Sequence, residues 1–462
     1  MKFTWSANTE ITTADIPETT DELLFADNYN YFIAPNTLPL SLKSIVFGKK
    51  FNRQIGPNTL PDYLESIIFG NNFNQPIADN VLPAALESII FGDNFNQPIA
   101  DNVLPVALKY IEFGWDFNQP IGPNVLPETL ESLKFMWKFN QPIGPDVLPD
   151  SLKHIEFGND FNQHVNPDVL PIALESIVFG CNFNQPIGPN ILPGSLKSIE
   201  FVWDFDQPIG PNVLPETLES LKFAWKFNQP IGPNVLPNTL SYINFGKKFN
   251  RPIGPNILPA SLTSIELGYS FNQPIGENVL PKSLASIDFG HSFNQPIGEN
   301  VLPKSLASII FGYYFNQPIN KNVLPESLVS IEFDRMYSHH ISSLYHLNYV
   351  EDIVIRSKYP IEVNVGLLPP NLKYLRITDA DILISLNAQS QSMWFSIIYQ
   401  HSVFRVRLNL LAITYPILWE PPASHDEGYE VVGTVTIDGT EYLKLINPKF
   451  YQHRSDAKSA RK

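Results

Sequence analysis

Apolar and polar positions along this chain repeat neither at helical spacing nor in simple alternation. They recur in a longer unit whose every step is 22 residues. The Phe of a Phe-Asn pair or its near variant stands at Phe51, Phe73, Phe95 and Phe117, and continues without insertion to Phe293 and Phe315. Weaker copies of the same phase reach outward through Ile16-Pro17 and Tyr29 at one end, and through Tyr337, Ile353, Leu368-Pro369 and Ile377 at the other. The array is therefore placed at residues 16–379, after a short lead-in over 1–15.

The unit from Pro83 to Pro105 is representative, with apolar positions at Leu86, Ile89, Phe91, Phe95, Ile99 and Leu104. Ile89-x-Phe91 puts two side chains on one face of a short strand, because successive strand residues point to opposite faces. The prolines that follow forbid a helix and favour an extended return. Each unit is thus expected to be a helix-free coil with one strand. Six apolar side chains cannot offset the entropy of ordering a whole coil, so neighbours must stack and pair their strands in a parallel ladder. The predicted class is a mainly β repeat solenoid, followed over 380–462 by a small α/β or β cap. The Asn after the Phe, at Asn52, Asn74, Asn96, Asn118, Asn140 and onward, is expected to bond the backbone of the next coil. Asp206 is its one substitution among the strong copies.

Phe73-Asn74-Gln75-Pro76-Ile77 and its copies resemble the FNIP repeat, named for that pattern. The segment Leu-x-x-Ile-x-Phe is also similar to the leucine-rich repeat, with the Asn two positions later. The resemblance implies a leucine-rich-repeat-like solenoid of a family found in social amoebae and in large viruses that infect them. Some viral relatives join an F-box to such repeats and would act as substrate receptors for a ubiquitin ligase. Only about fifteen residues precede this array, so that alternative requires residues 380–462 to recruit the ligase.

The position two after the strand Phe varies, and a leucine-rich-repeat-like strand turns it outward. It holds Trp115, Trp137, Trp203 and Trp225 with Tyr269 and Tyr313, and also Cys181, His291 and Arg335. Exposed aromatic residues are what protein interfaces concentrate. A second reading stays open, since the Trp residues fall on adjacent coils and could stack on one another. Charges beside them would pair too, Glu112 with Lys134, Asp116 with Lys138, Glu200 with Lys222 and Asp204 with Lys226. Residues 112–135 nearly recur at 200–223, so a duplication could have copied the arrangement.

The chain has 462 residues, 44% of them hydrophobic, with 32 Phe, 42 Pro and a net charge of −15. Residues 380–462 hold eight cationic and eight acidic residues, so the whole acidic excess precedes them. That excess disfavours nucleic acid as a partner. No apolar run is long enough to span a bilayer. A single cysteine and the lack of an N-glycosylation sequon favour an intracellular, cytoplasmic site, in the host if the protein is viral. Past residue 380 the period fades; Glu430–Asn447 reads as a hairpin turning at Asp438-Gly439, Phe404–Leu411 as a strand, and Arg454–Lys462 as a basic tail. His339, His340 and His346 lack metal-ligand spacing, and Cys181 has no His partner in view. The repeated carboxylates read as a solvated face, and no phosphate-cradling loop is present. The expectation is a non-enzymatic protein-interaction scaffold with a protein partner, without cofactor, metal or small-molecule substrate.

Overall fold

The structure, a computed structural model, describes residues 1–339, 344–356 and 369–373, together with strands at 361–364, 374–378, 382–385, 393–399, 402–408, 430–437 and 440–446. The chain forms two compact units, Met1–Leu240 and Ser241–Lys462. The first carries β1 (Lys2–Trp5), β2 (Glu22–Phe25), β3 (Ser44–Val46), β4 (Ser66–Ile68), β5 (Ser88–Ile90), β6 (Tyr110–Phe113), β7 (Ser132–Phe135), β8 (His154–Glu156), β9 (Ser176–Phe179), β10 (Ser198–Phe201) and β11 (Ser220–Lys222). Each pairs in parallel with the next, and from β2 onward the register offset is always 22, as in Ile67↔Ile89 and Ile89↔Ile111.

The second unit repeats this with β12 (Tyr242–Asn244), β13 (Ser264–Glu266), β14 (Ser286–Asp288), β15 (Ser308–Ile310), β16 (Ser330–Phe333) and β17 (Asp352–Arg356). After β18 (Ile361–Asn364), β19 (Tyr374–Thr378) pairs in parallel with β17, extending the ladder past the strong repeats. β18 belongs to a second sheet with β20 (Ile382–Ser385), which also holds the antiparallel pair β23 (Glu430–Ile437) and β24 (Thr440–Ile446). β21 (Met393–Tyr399) and β22 (Ser402–Leu408) form a separate antiparallel pair. The proposed turn Asp438-Gly439 and the tail Arg454–Lys462 lie outside the described residues. No α-helix occurs among the described residues.

The core follows from the alternation within each strand. In β6 and β7 the second and fourth residues are buried and the others half-exposed. In the coil after Pro83, Leu86, Ile89, Phe91, Phe95 and Leu104 are buried, as is Val103, whereas Ile99 is only half-buried. The Phe residues make two columns. Phe91 and Phe95 of one coil stack at 4.1 Å, and each meets its counterpart on the next coil, at 5.3 Å for Phe113 and 6.0 Å for Phe117. Such stacked pairs add about 0.5–1.5 kcal/mol each beyond area burial.

Polar ladders lock the coils together. Asn96 Oδ1 accepts the Asn118 N–H at 2.9 Å and the Gln119 side-chain amide at 3.0 Å, and the same pair of bonds recurs from coil to coil. Asp206 accepts the same two donors from Asn228 and Gln229. A further ladder joins the hydroxyl before the core Leu to the previous coil, as in Ser151 Oγ to the Leu130 carbonyl at 2.7 Å and Thr217 Oγ1 to that of Leu196.

Two backbone devices make the tight coil feasible. The second Asn of each unit, Asn58 for example, has φ near 59°, and the same left-handed geometry recurs from Asn36 to Asn322, with Asp146 and Asp168 as variants. With Pro57 before it and Thr59 N–H closing on Gly56 O at 3.3 Å, this has the signature of a type II turn. Asn and Asp are the non-glycine residues that tolerate that region. After the strand Phe stands a Gly, and a Cβ on Gly92 would lie 1.8 Å from the carbonyl oxygen of Gly70. The coils touch there backbone to backbone.

Candidate interaction face

The outward face of the strand ladder carries two columns, one within the strand and one just beyond it. The strand column begins with half-buried Val46, Ile68 and Ile90, then becomes charged through Glu112, Lys134 and Glu156. The column beyond the strand holds the aromatic residues. Trp115, Trp137 and Trp203 are 49%, 46% and 42% exposed, large values for side chains of this size. Tyr269 is also exposed, whereas Trp225 and Tyr313 are only half-buried; Tyr314, one residue on, is the exposed ring of its coil.

The Trp side chains do stack in pairs. Trp115 and Trp137 lie 5.5 Å apart at 26°, and Trp203 and Trp225 4.4 Å apart at 16°. Three of these four follow a residue other than Gly, namely Met136, Val202 and Ala224. Ring spacing is uneven around these positions. Phe135 and Phe157 are 6.4 Å apart and Phe201 and Phe223 6.2 Å, whereas Phe113 and Phe135, and Phe179 and Phe201, stay at 5.3 and 5.2 Å. The N–H of Met136 and of Val202 instead donates to the strand Phe of the previous coil, at 3.2 and 3.3 Å.

Charges beside the Trp pairs are neutralised within the chain. Lys138 pairs with Asp116, Lys222 with Glu200 and Lys226 with Asp204, at 2.7, 3.1 and 2.8 Å. The expected Glu112–Lys134 pair does not form, although the two are register partners. Lys134 reaches forward to Glu156 at 3.3 Å, and Glu112 accepts the Tyr110 hydroxyl at 2.6 Å. Nor are the repeated carboxylates simply solvated. On the edge preceding the strands, Glu65, Glu87, Glu131 and Glu175 each meet a Lys of a neighbouring coil, Lys43, Lys109, Lys153 and Lys197, at 2.6–3.0 Å. Exposed pairs of this kind stabilise little, because both partners stay solvated and screened.

In the second unit the aromatic column forms a continuous run. Tyr269 stacks on His291 at 4.0 Å and His291 on Tyr313 at 4.8 Å, with Tyr314 edge-on to His291. Burial holds the His291 imidazole below its ordinary range, against the pull of Asp334. Cys181 lies on the outward face of the first unit. Burial pushes its thiol up, and Asp204 and Asp160 push it further, the opposite of what a nucleophile needs. Among the described residues no group of three or more His, Cys, Asp or Glu is placed to hold a metal ion. His340 lies outside the described residues, as do most of residues 380–462, on which the ligase alternative rests. No described helix is long and apolar enough to cross a membrane.

Two signals in the sequence would have refined this face. The loss of Gly before Trp137, Trp203 and Trp225 marks coils that lack the close glycine contact of the others. The Ser or Thr before the core Leu marks the hydroxyl ladder.

The family model described as FNIP Repeat matches residues 8–50, 51–94, 95–136, 139–182, 183–224, 205–248, 249–292 and 293–335. Among solved structures, the crystal structure of CroV588, described as a novel circular LRR protein structure, is 42% identical with a TM-score of 0.78, over 85% of this chain and 58% of that one. The chain thus spans little more than half the length of that relative. A chain of the Drosophila Toll–Spatzle complex matches with a TM-score of 0.50 at 12% identity, over 82% of this chain and 56% of that one, a likeness of fold alone. No curated protein matches the chain.

Proposed function

The chain belongs to the FNIP repeat family, and from that premise we propose that it is an intracellular scaffold whose outward ladder face binds a partner protein through Trp115, Trp137, Trp203, Trp225, Tyr269 and Tyr313. The observation that carries this reading is the exposure of Trp115, Trp137 and Trp203 at 42–49% even though each stacks on the Trp of a neighbouring coil. A large aromatic side chain fixed before binding loses little entropy on association, which is why such residues dominate interface energetics. A repeat solenoid that resembles leucine-rich-repeat proteins is suited to that role, since each coil adds one more outward position at a set spacing.

The test is affinity purification of the full chain from the host cell beside the variant Trp115→Ser/Trp137→Ser/Trp203→Ser/Trp225→Ser. An aromatic anchor contributes about 2 kcal/mol or more, roughly thirtyfold in affinity. A partner recovered by the native chain should be lost by the variant while its melting temperature changes little. Undiminished recovery by a clearly destabilised variant would reverse the assignment and leave the Trp pairs as ladder supports.

A further inference from the structure

Charges are handled differently in the two units. In the first, a lysine on the edge preceding the strands meets a carboxylate of a neighbouring coil, as Lys43 meets Glu65 and Lys153 meets Glu131. The coils that lead into β14, β15 and β16 carry charges that stay apart. Each of these coils turns two corners. The first lies at Asn278, Asn300 and Asn322, where φ is 61°, 62° and 74°. The second is closed by the N–H of Leu284, Leu306 and Leu328 on the carbonyls of Pro281, Pro303 and Pro325, at 3.1–3.2 Å. Between the corners Val279 and Leu280 are buried, as are their counterparts in the next two coils, so the outer edge belongs to the corner residues. The first corner presents Glu277, Glu299 and Lys321 and the second Lys282, Lys304 and Glu326, all exposed. Among the described residues, none of these six side chains has an ion-pair or hydrogen-bond partner within the chain.

Their signs are correlated. Along the first corner they run minus, minus, plus, and along the second plus, plus, minus. Residues 277–286 recur unchanged at 299–308, and in the third coil both signs reverse together. The corresponding corners of the first unit hold acids such as Asp79, Asp101, Glu128 and Asp150, but no lysine or arginine. A surface patterned in this way is complementary to itself. A two-fold axis running along the stack between the corners lays the first corner of one copy on the second corner of another, each coil against the same coil. Glu277 of one copy then faces Lys282 of the other, Glu299 faces Lys304 and Lys321 faces Glu326, with no like charges opposed. An axis across the stack would set Glu299 against Glu299 instead. We propose that these three coils are a homodimer contact, in which a second copy of the chain docks edge to edge with these coils parallel. Pro281, Pro303 and Pro325, half-buried beside the second corner, add an uncharged strip inside the charge columns. Exposed ion pairs are weak singly, so the array acts as a set: it fixes orientation and yields to salt. The contact uses none of the aromatic residues of the outward ladder face, and its failure would leave the scaffold reading untouched.

The experiment is sedimentation equilibrium of the full chain. At about 0.1 M salt the Debye length of about 10 Å damps repulsion between whole chains but not between touching groups, and the apparent mass should rise from one chain toward two with concentration. At about 1 M salt, where that length is about 3 Å, it should stay at one chain. Lys282→Glu/Lys304→Glu and Glu277→Lys/Glu299→Lys each oppose like charges on both sides of the axis and should weaken self-association by about tenfold or more. The second variant does so although it lowers the net charge of −15 in magnitude, which separates the contact from general repulsion. An equimolar mixture of the two variants opposes only unlike charges and should regain native association, as should the chain carrying all four substitutions. The substitutions lie at exposed turns, so melting temperatures should match that of the native chain. Should one reversal variant fail to fold, the other and the neutral Lys282→Gln/Lys304→Gln, with a smaller loss, carry the test. A single-chain mass at every concentration, association unaffected by either reversal, or a mixture no better than its components each overturns the proposal.

Discussion

At the scale of single residues, a side chain here is judged by what it does for the next coil. Asn140 Oδ1 accepts both the Asn162 N–H and the Gln163 amide. Asn140→Leu strands two donors at once and should cost about 1–3 kcal/mol, read as a lowered melting temperature. Asn140→Asp should be tolerated, because Asp206 already accepts the corresponding donors. Tyr29 shows the opposite case, a buried hydroxyl with no partner at the start of the inner ring column. Burial first, then Glu10, pushes its phenol from an ordinary value of 10.0 up to about 12. The folded chain keeps that proton after the unfolded chain has lost it, so this contribution is whole below pH 10 and disappears as pH rises toward 12. Tyr29→Phe should therefore raise the melting temperature at neutral pH and make its alkaline decline shallower. Unchanged melting curves at both ends would place Tyr29 in contact with water.

At the scale of the strand and its turn, spacing between coils is set by backbone contact at glycine. Gly92→Ala would drive a methyl group into the Gly70 carbonyl. It should cost about 1–3 kcal/mol in thermal melts, typical of overpacking, and a melt matching the native chain would show that the ladder yields there at no cost. The period, the strand phase and the absence of helix were legible in the sequence because Phe91 and Phe95 are large, invariant in spacing and buried. Other features were not. Lys134 has acidic neighbours in both directions, Glu112 and Glu156, and side-chain reach, which no spacing rule encodes, sends it to Glu156. Nor could the outward column separate Trp203 from Trp225, which share a position but differ in exposure.

At the scale of the molecule, each described ladder contact runs between a coil and its neighbour, so stability should be a sum over adjacent pairs. Far-UV circular dichroism should show little helix. Deleting residues 84–105 removes one complete coil and leaves Pro83 followed by Val106 in the position Ala84 held. That variant should fold with nearly the native melting temperature, whereas deleting residues 84–94 shifts everything after it by half a coil and should abolish cooperative melting. If both deletions behaved alike, coil-to-coil register would not govern folding. The same locality bears on inheritance. A recombination event that adds or drops a whole number of coils meets no structural penalty at the junction, and it carries any surface feature along intact. Residues 112–135 and 200–223, each with its Trp and flanking charges, have the pattern such copying would leave behind: a gene of this design can try a new surface in a single exchange.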